Sequence, residues 1–182
     1  MEQSGGKCAV PIPNGEKGMQ NPKEFRKKTV KFQKVRQKGG KHMFLGEFKH
    51  NVDTKKRLFI PAKFREELGE TFVIVKLLRD KCLRVCSLEE WEKYIAPILA
   101  MDRKDGEKIL RKLHRQSIQV SSDSQGRVVL SSELVELAGI EKNTVIIGCG
   151  HYAEIWAEAE YAKMLDAEDD DDMLNALEGM GL

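Results

Sequence analysis

Two short runs in this chain place a carboxylate four residues ahead of an arginine: Asp53-Thr54-Lys55-Lys56-Arg57 and Asp123-Ser124-Gln125-Gly126-Arg127. Each precedes an apolar triplet, Leu58-Phe59-Ile60 and Val128-Val129-Leu130. An Asp ending one strand can accept backbone N–H bonds and so close a turn. The Arg opening the next strand can lie back on that carboxylate as a charge-assisted pair. Gly126 supplies the positive φ that such a turn often demands. Asp53, Asp123 and Gly126 are therefore expected to be structural. A carboxylate paired in this way is a poor general base, which argues against an enzyme working through either Asp. Recognition of an acidic polymer is the chemistry these residues suit. Lys55, Lys56 and Arg57 put three adjacent cations on one turn, where phosphates can meet them. An Arg at a strand edge can reach guanine O6 and N7 in a major groove. The second run keeps only Arg127, so more contact is expected from the first run, with Lys63 in the following segment as a further anchor.

Other chemistry is thinly represented. Cys82 and Cys86 share one face of a predicted strand, but no second Cys/His pair stands at metal-ligand spacing, so free thiols are expected. His50, His114 and His151 lack an evident nucleophile or partner. No phosphate-binding loop, Gly-x-Ser-x-Gly or His-Glu-x-x-His motif occurs. The expectation is no catalytic residue, no metal and no cofactor.

The elements that hold the two runs also repeat. The offset is 70 residues between the runs, between the terminating glycines Gly69 and Gly139, and between Trp91 and Tyr161. Cys82-Leu83-Arg84-Val85-Cys86 likewise aligns with Tyr152-Ala153-Glu154-Ile155-Trp156. One period without a net gap argues for two copies of one supersecondary unit, each too small to bury its own apolar face, so the copies are expected to pack on each other. Alternation predicts strands over 44–52, 57–60, 72–76 and 82–85, with a short helix over 62–68. Ser87 with Glu90 makes a capping box for a helix that Pro97 should bend. A helix over 102–116 links the copies and carries a basic stripe, Lys108, Arg111, Lys112 and Arg115, expected by default to be a solvated face. The second copy repeats the order with strands over 118–122, 127–130, 144–148 and 153–156, a helix over 131–138, and another from about residue 157.

The 182 residues suit one or two small domains, with 41% apolar and 7% aromatic residues. No run approaches the roughly 18 apolar residues of a membrane span, and the start lacks an apolar signal core. The charge is asymmetric: residues 1–42 hold 11 Lys/Arg against 3 Asp/Glu, whereas the rest holds 20 against 26. Nucleic-acid binding by the rest must therefore come from a local patch. Residues 1–42 read as a disordered basic extension. Lys38-Gly39-Gly40-Lys41-His42 can be encoded by a purine-rich ribosome-binding sequence ahead of Met43, so translation is expected to begin at Met43. The remaining divisions are unit 1 over 47–92, a linking helical region over 93–116, unit 2 over 117–162, and an acidic tail over 163–182 whose run from Glu168 to Asp172 is expected to be solvated.

Met43-Phe44-x-Gly46-Glu47, Asp53-x-Lys55-x-Arg57-Leu58, Ile60-Pro61-Ala62-Lys63-Phe64-Arg65, Leu88-Glu89-Glu90-Trp91 and Asp123-x-Gln125-Gly126-Arg127 together closely resemble the MraZ family of bacterial transcriptional regulators, which carry two tandem SpoVT–AbrB-type units. The resemblance spans Met43 to about Leu165. It implies an α+β, β-rich fold of two pseudo-symmetric swapped-hairpin units around a compact β-barrel-like core with short helices. It implies a cytoplasmic, nucleoid-associated homo-oligomer, ring-like and of octamer or dodecamer size. That oligomer would bind direct repeats of double-stranded DNA in the promoter of a division and cell-wall gene cluster, usually its own. The family's DNA-contacting arginine maps to Arg57, with Lys55 beside it. The chain departs from the family pattern at Leu45 (commonly Arg), Lys56 (usually Gly), Ser131 (usually Pro) and Val135 (usually Arg). The competing expectation is a ring-forming, protein-binding scaffold without specific DNA readout.

Overall fold

A computed structural model describes residues 43–168 and 170–181. The expectations for residues 1–42 lie outside the described residues.

The elements run in the predicted order. The first part contains β1 (Glu47–Asn51), β2 (Arg57–Phe59), α1 (Ala62–Leu68), β3 (Thr71–Lys76), β4 (Cys82–Ser87), α2 (Leu88–Leu99) and α3 (Arg103–Arg115). The second contains β5 (Ser117–Ser121), β6 (Arg127–Val129), α4 (Ser132–Leu137), β7 (Asn143–Gly148), β8 (Ala153–Ala157), α5 (Glu158–Ala167) and α6 (Asp170–Gly179). Local sequence explains several boundaries. The Ser87 hydroxyl accepts the Glu90 N–H at 3.2 Å and so starts α2. Ser131 caps α4 through the Leu134 N–H at 3.2 Å, so the serine that replaces the usual family proline also begins a helix well. α6 gives the tail a helical segment that had not been anticipated.

Pairing departs from a chain of simple hairpins. Six strands form an antiparallel sheet in the order β1-β7-β8-β4-β3-β5, and β2 pairs only with β6 in a separate two-stranded ribbon. β1 and β2 flank one Asp–Arg turn but do not pair with each other, and neither do β5 and β6. Neither turn therefore joins a paired hairpin. The turn is closed locally, and its flanking strands then diverge to partners in the other half of the chain. The expected barrel-like core is not found either. β1 and β5 remain the two edges of an open sheet, and the β2–β6 ribbon lies over its inner face instead of closing it.

The core explains this arrangement. Alternation along β3 sends Phe72 and Ile74 to one side and Val73 and Val75 to the other. The first side joins Leu58 and Val128 from the ribbon, Phe64 from α1 and Leu134 from α4 in one buried cluster. Phe64 sits at its centre, edge-on to Phe44 at 5.1 Å and to Phe48 at 5.2 Å. The second side is covered by α2 and α3 through Trp91, Ile98, Ile109 and Leu113. The chain just before β1 belongs to the fold as well. Phe44 exchanges backbone bonds with Gly150 at 2.8 and 3.0 Å, and the segment passes so close to Gly148 that a Cβ there would stand 2.3 Å from the Phe44 carbonyl carbon.

The repeat also contains a compensated insertion. Cys86 pairs with Val73, while Trp156, 70 positions later, pairs with Val145, which is 72 positions after Val73. Two extra residues after Gly139 place Ile140 in the core at 4% exposure, and the shorter β7–β8 connection recovers them.

Lys56 has φ 57°, in the same left-handed region as Gly126 at φ 77°, and among the described residues it is the only non-glycine with positive φ. Its side-chain amine reaches the Ser132 hydroxyl at the start of α4. A left-handed conformation costs a residue with a Cβ about 1–2 kcal/mol. Lys56→Gly is therefore expected to stabilise the fold by about 1 kcal/mol, read as a higher midpoint in thermal unfolding. An unchanged or lower midpoint would show that the Ser132 contact outweighs the backbone strain.

Candidate nucleic-acid interface

Each Asp–Arg turn is a small hydrogen-bonded cage. Asp53 Oδ1 accepts the N–H groups of Lys55 (2.8 Å) and Arg57 (2.9 Å), while Oδ2 accepts Arg57 Nε at 2.6 Å. Asp123 Oδ1 likewise accepts the N–H groups of Gln125 and Arg127, both at 2.9 Å. Backbone bonds complete both cages: Lys56 N–H to the Asp53 carbonyl at 2.9 Å, and Gly126 N–H to the Asp123 carbonyl at 2.8 Å. Asp53 and Asp123 thus sit inside closed turns, and Gly126 takes the positive φ of the second.

The two arginines are held differently. Arg127 gives Asp123 Oδ2 both Nε (2.9 Å) and a terminal nitrogen (2.8 Å). Arg57 gives Asp53 only Nε, so both of its terminal amino groups are left for another acceptor. Their exposures are nearly equal, 31% for Arg57 and 29% for Arg127, so the distinction lies in the hydrogen bonding and not in access.

The ribbon brings the cages together. Leu58 and Val128 point into the core at 0% and 1% exposure. By strand alternation Arg57, Phe59, Arg127 and Val129 occupy the outer face. Arg57 stands opposite Val129 and Arg127 opposite Phe59, so the two arginines are diagonal neighbours, roughly 7–8 Å apart by sheet geometry. Two bonds lock each turn to the other half: Ile60 N–H to the Gly126 carbonyl and Leu130 N–H to the Lys56 carbonyl, each at 2.9 Å. Lys55 and Lys63 are exposed around the first turn, and Lys56 is half-buried with its amine on Ser132.

One contributor escaped the reading of the sequence. Arg65 of α1 donates Nε to the Ile60 carbonyl at 3.1 Å and lies 5.7 Å above the Phe59 ring. Its guanidinium passes over Gly126, where a Cβ would stand 2.7 Å from it. Gly126 is thus favoured by its φ, and a side chain there would also push the Arg65 guanidinium aside. The second turn, poor in cations of its own, borrows one from the first half. The signal was a glycine at a turn, which reveals a backbone need but not a visitor from 61 positions away. The α3 stripe, by contrast, is exposed on the helix that covers the opposite side of the sheet and is not part of this surface. Cys82 and Cys86 are free and buried, and burial pushes their thiols up to about 12 and about 11.

Side-chain and backbone bonds from Arg127 hold the Asp123 carboxyl down at about 2, below its ordinary 3.8. Asp53 is lowered too, chiefly by the Arg57 N–H. A depressed carboxylate contributes stability above its unfolded value and loses it as pH falls through its folded value. Stability should therefore decline between about pH 4 and pH 2 as the cages protonate. Asp123→Asn should flatten that decline in acid titrations of unfolding free energy. A variant with an unaltered acid limb would remove Asp123 from the linkage.

With this surface described, the chain can be compared with known proteins. Residues 43–112 and 113–179 each match the model of the MraZ protein family. A protein named transcriptional regulator MraZ from Leuconostoc mesenteroides is 40% identical over 140 residues, covering 76% of this chain and 96% of the relative. One of the same name from Alkaliphilus oremlandii is 40% identical over 146 residues, 77% of this chain and 100% of the relative. A third, from Caldanaerobacter subterraneus, is 41% identical over 129 residues, 68% of this chain and 90% of the relative. All three carry the name of a regulator, not of an enzyme. Two successive matches to one family, together with relatives aligned almost end to end, establish that this chain belongs to the MraZ family.

Proposed function

We propose that this protein is a sequence-specific, DNA-binding transcriptional regulator that presents the β2–β6 ribbon to the major groove. The observation that carries this reading is the Arg57 guanidinium, fixed through Nε by Asp53 with its terminal amino groups unused. Two donors on a planar fork match guanine O6 and N7, and each good bidentate pair discriminates by about 1–3 kcal/mol. A two-stranded ribbon fits a major groove about 12 Å wide. Lys55, Lys56 and Lys63 anchor the phosphates on either side, and Arg65 extends the cationic field to the second turn. Arg127, held by Asp123 through both Nε and a terminal nitrogen, serves the architecture more than the readout.

Two tandem SpoVT–AbrB-type units, over 47–92 and 117–162, are part of this proposal. It is supported by the strand order, which reads the same when strands of the first half are exchanged for those of the second. A single copy neutralises few phosphates and binds weakly, with an affinity that falls as salt rises. Several copies in a ring-like homo-oligomer gain about 10²–10⁴ in avidity on tandem sites. The proposed target is therefore a set of direct repeats in a promoter, that of the division and cell-wall cluster including the protein's own gene, read in the cytoplasm at the nucleoid. No helix among the described residues is long and apolar enough to cross a membrane.

Arg57→Ala should abolish repeat-specific gel shifts and footprints on the protein's own promoter while the protein stays folded, although it opens the Asp53 cage. Arg127→Ala should keep specificity but lower the unfolding midpoint, because it opens a cage. Specific binding that survives Arg57→Ala would overturn the assignment, and a shift indifferent to sequence would favour a protein-binding scaffold. Light scattering at micromolar concentration should report a multimer, and a monomer would remove the avidity argument.

A further inference from the structure

A second site lies on the other side of the sheet, around Arg84. This residue sits in the middle of β4 on the face shared with Cys86, beneath α2. Its Nε is buried without a hydrogen-bond partner, and among the described residues Arg84 makes no ion pair. Glu154 stands directly opposite on β8, but its carboxylate accepts the Trp156 indole N–H at 3.0 Å instead. The Arg84 guanidinium lies flat on Tyr152, 3.7 Å from the ring centroid, with Tyr94 at 5.5 Å. It borders a cavity of about 290 Å³ that Trp91, Glu90 and Lys93 also line. Glu90, the acidic residue of the lining, is neutralised by Lys93 at 2.7 Å.

A desolvated donor on a cation, left without an acceptor, is costly, and buried charges in native proteins are normally paired. Tyrosine faces compensate in part through cation–π attraction and fix the guanidinium plane. They cannot supply the missing acceptor. The cavity offers an anion a guanidinium that makes no direct ion pair among the described residues, and aromatic surfaces from Trp91 and Tyr94 beside it. Its volume lies at the lower end of small-molecule pockets, of roughly 300–1,000 Å³.

We propose that this cavity binds a small organic anion, a carboxylate or phosphate carried on a compact ring-sized apolar body. The oxyanion accepts from the terminal amino groups of Arg84, which are not buried as Nε is, and the body lies against the aromatic wall. The site is separate from the ribbon: Arg84 shares the sheet face covered by α2 and α3, while the ribbon covers the opposite face. It therefore does not depend on the DNA-binding reading.

The test uses the full chain with benzoate, phenyl phosphate and uncharged benzamide as probes, read by NMR of the arginine Nε–H resonances. Benzoate or phenyl phosphate should shift the Arg84 resonance saturably, with a dissociation constant in the low-millimolar range or tighter. Whichever of the two binds better identifies the headgroup. Arg84→Gln should weaken that binding at least about tenfold, the loss expected for a charged hydrogen bond. Should that variant fail to fold, Tyr94→Ala, on a half-exposed helix position, should weaken it at least threefold while leaving the fold intact. Three results would overturn the proposal: no saturable shift with either anion, equal binding of benzamide, or an Arg84 resonance that changes with protein concentration alone. The last would mean that a carboxylate from a second copy fills the cavity.

Discussion

The structure depends on the pairing of two three-residue strands, β2 and β6. Alone, a ribbon this short has no independent stability. It persists because Leu58 and Val128 insert into the main core and because each end is tied to the opposite turn by a backbone bond, Ile60 to Gly126 and Leu130 to Lys56. The same contacts force β1 and β5 to part from β2 and β6 after each turn. They find partners in the far half, and the sheet therefore interleaves both copies of the repeat. Neither half can bury Phe64 or Phe72 without strands from the other.

That constraint also builds the interface. An Asp–Arg cage on a lone hairpin would present one cation at an arbitrary orientation. On the ribbon, two cages face the same way as diagonal neighbours, each braced by its own carboxylate and by the other half's backbone. The cages are similar in geometry but unequal in what they leave over. Arg57 keeps two amino groups free; Arg127 spends one on Asp123. Lys56 accepts a strained backbone and adds a charge where Gly126 has none, while Gly126 makes room for Arg65. The asymmetry between the copies thus resides in hydrogen bonding and access to one turn, on a frame that both copies share.

The two faces of the sheet are put to different uses. The ribbon face concentrates fixed cations with acceptors already supplied by neighbouring aspartates. The α2–α3 face holds a half-buried Arg84 against tyrosine rings, with no acceptor for its buried Nε. Cations of the first kind are fixed at a surface open to water, which is what the proposed contact with a polyanion requires. A cation of the second kind is half desolvated and suited to a compact anion that reaches into a cavity.

Much of this was legible in the residues themselves. The α1 boundaries, the Ser87 cap, the order of the strands and the turn role of Asp53, Asp123 and Gly126 follow from local rules: alternation, capping and the φ that glycine permits. The duplication was visible because both copies solve the same local problem with the same residue types. Strand partners were not legible, because alternation specifies which face a residue takes but not which strand lies beside it. Hence the partners of the strands flanking each turn could not be read, and the expected barrel-like core is an open sheet with a ribbon across it. The passage of Arg65 over Gly126, the single bond that leaves Arg57 half free, and the unpaired Nε of Arg84 depend on distances between segments far apart in sequence. Sequence determined which groups carry charge and where the chain turns. Only the tertiary structure decided which charges are already satisfied, because pairing is a matter of a few ångströms that no spacing along the chain encodes.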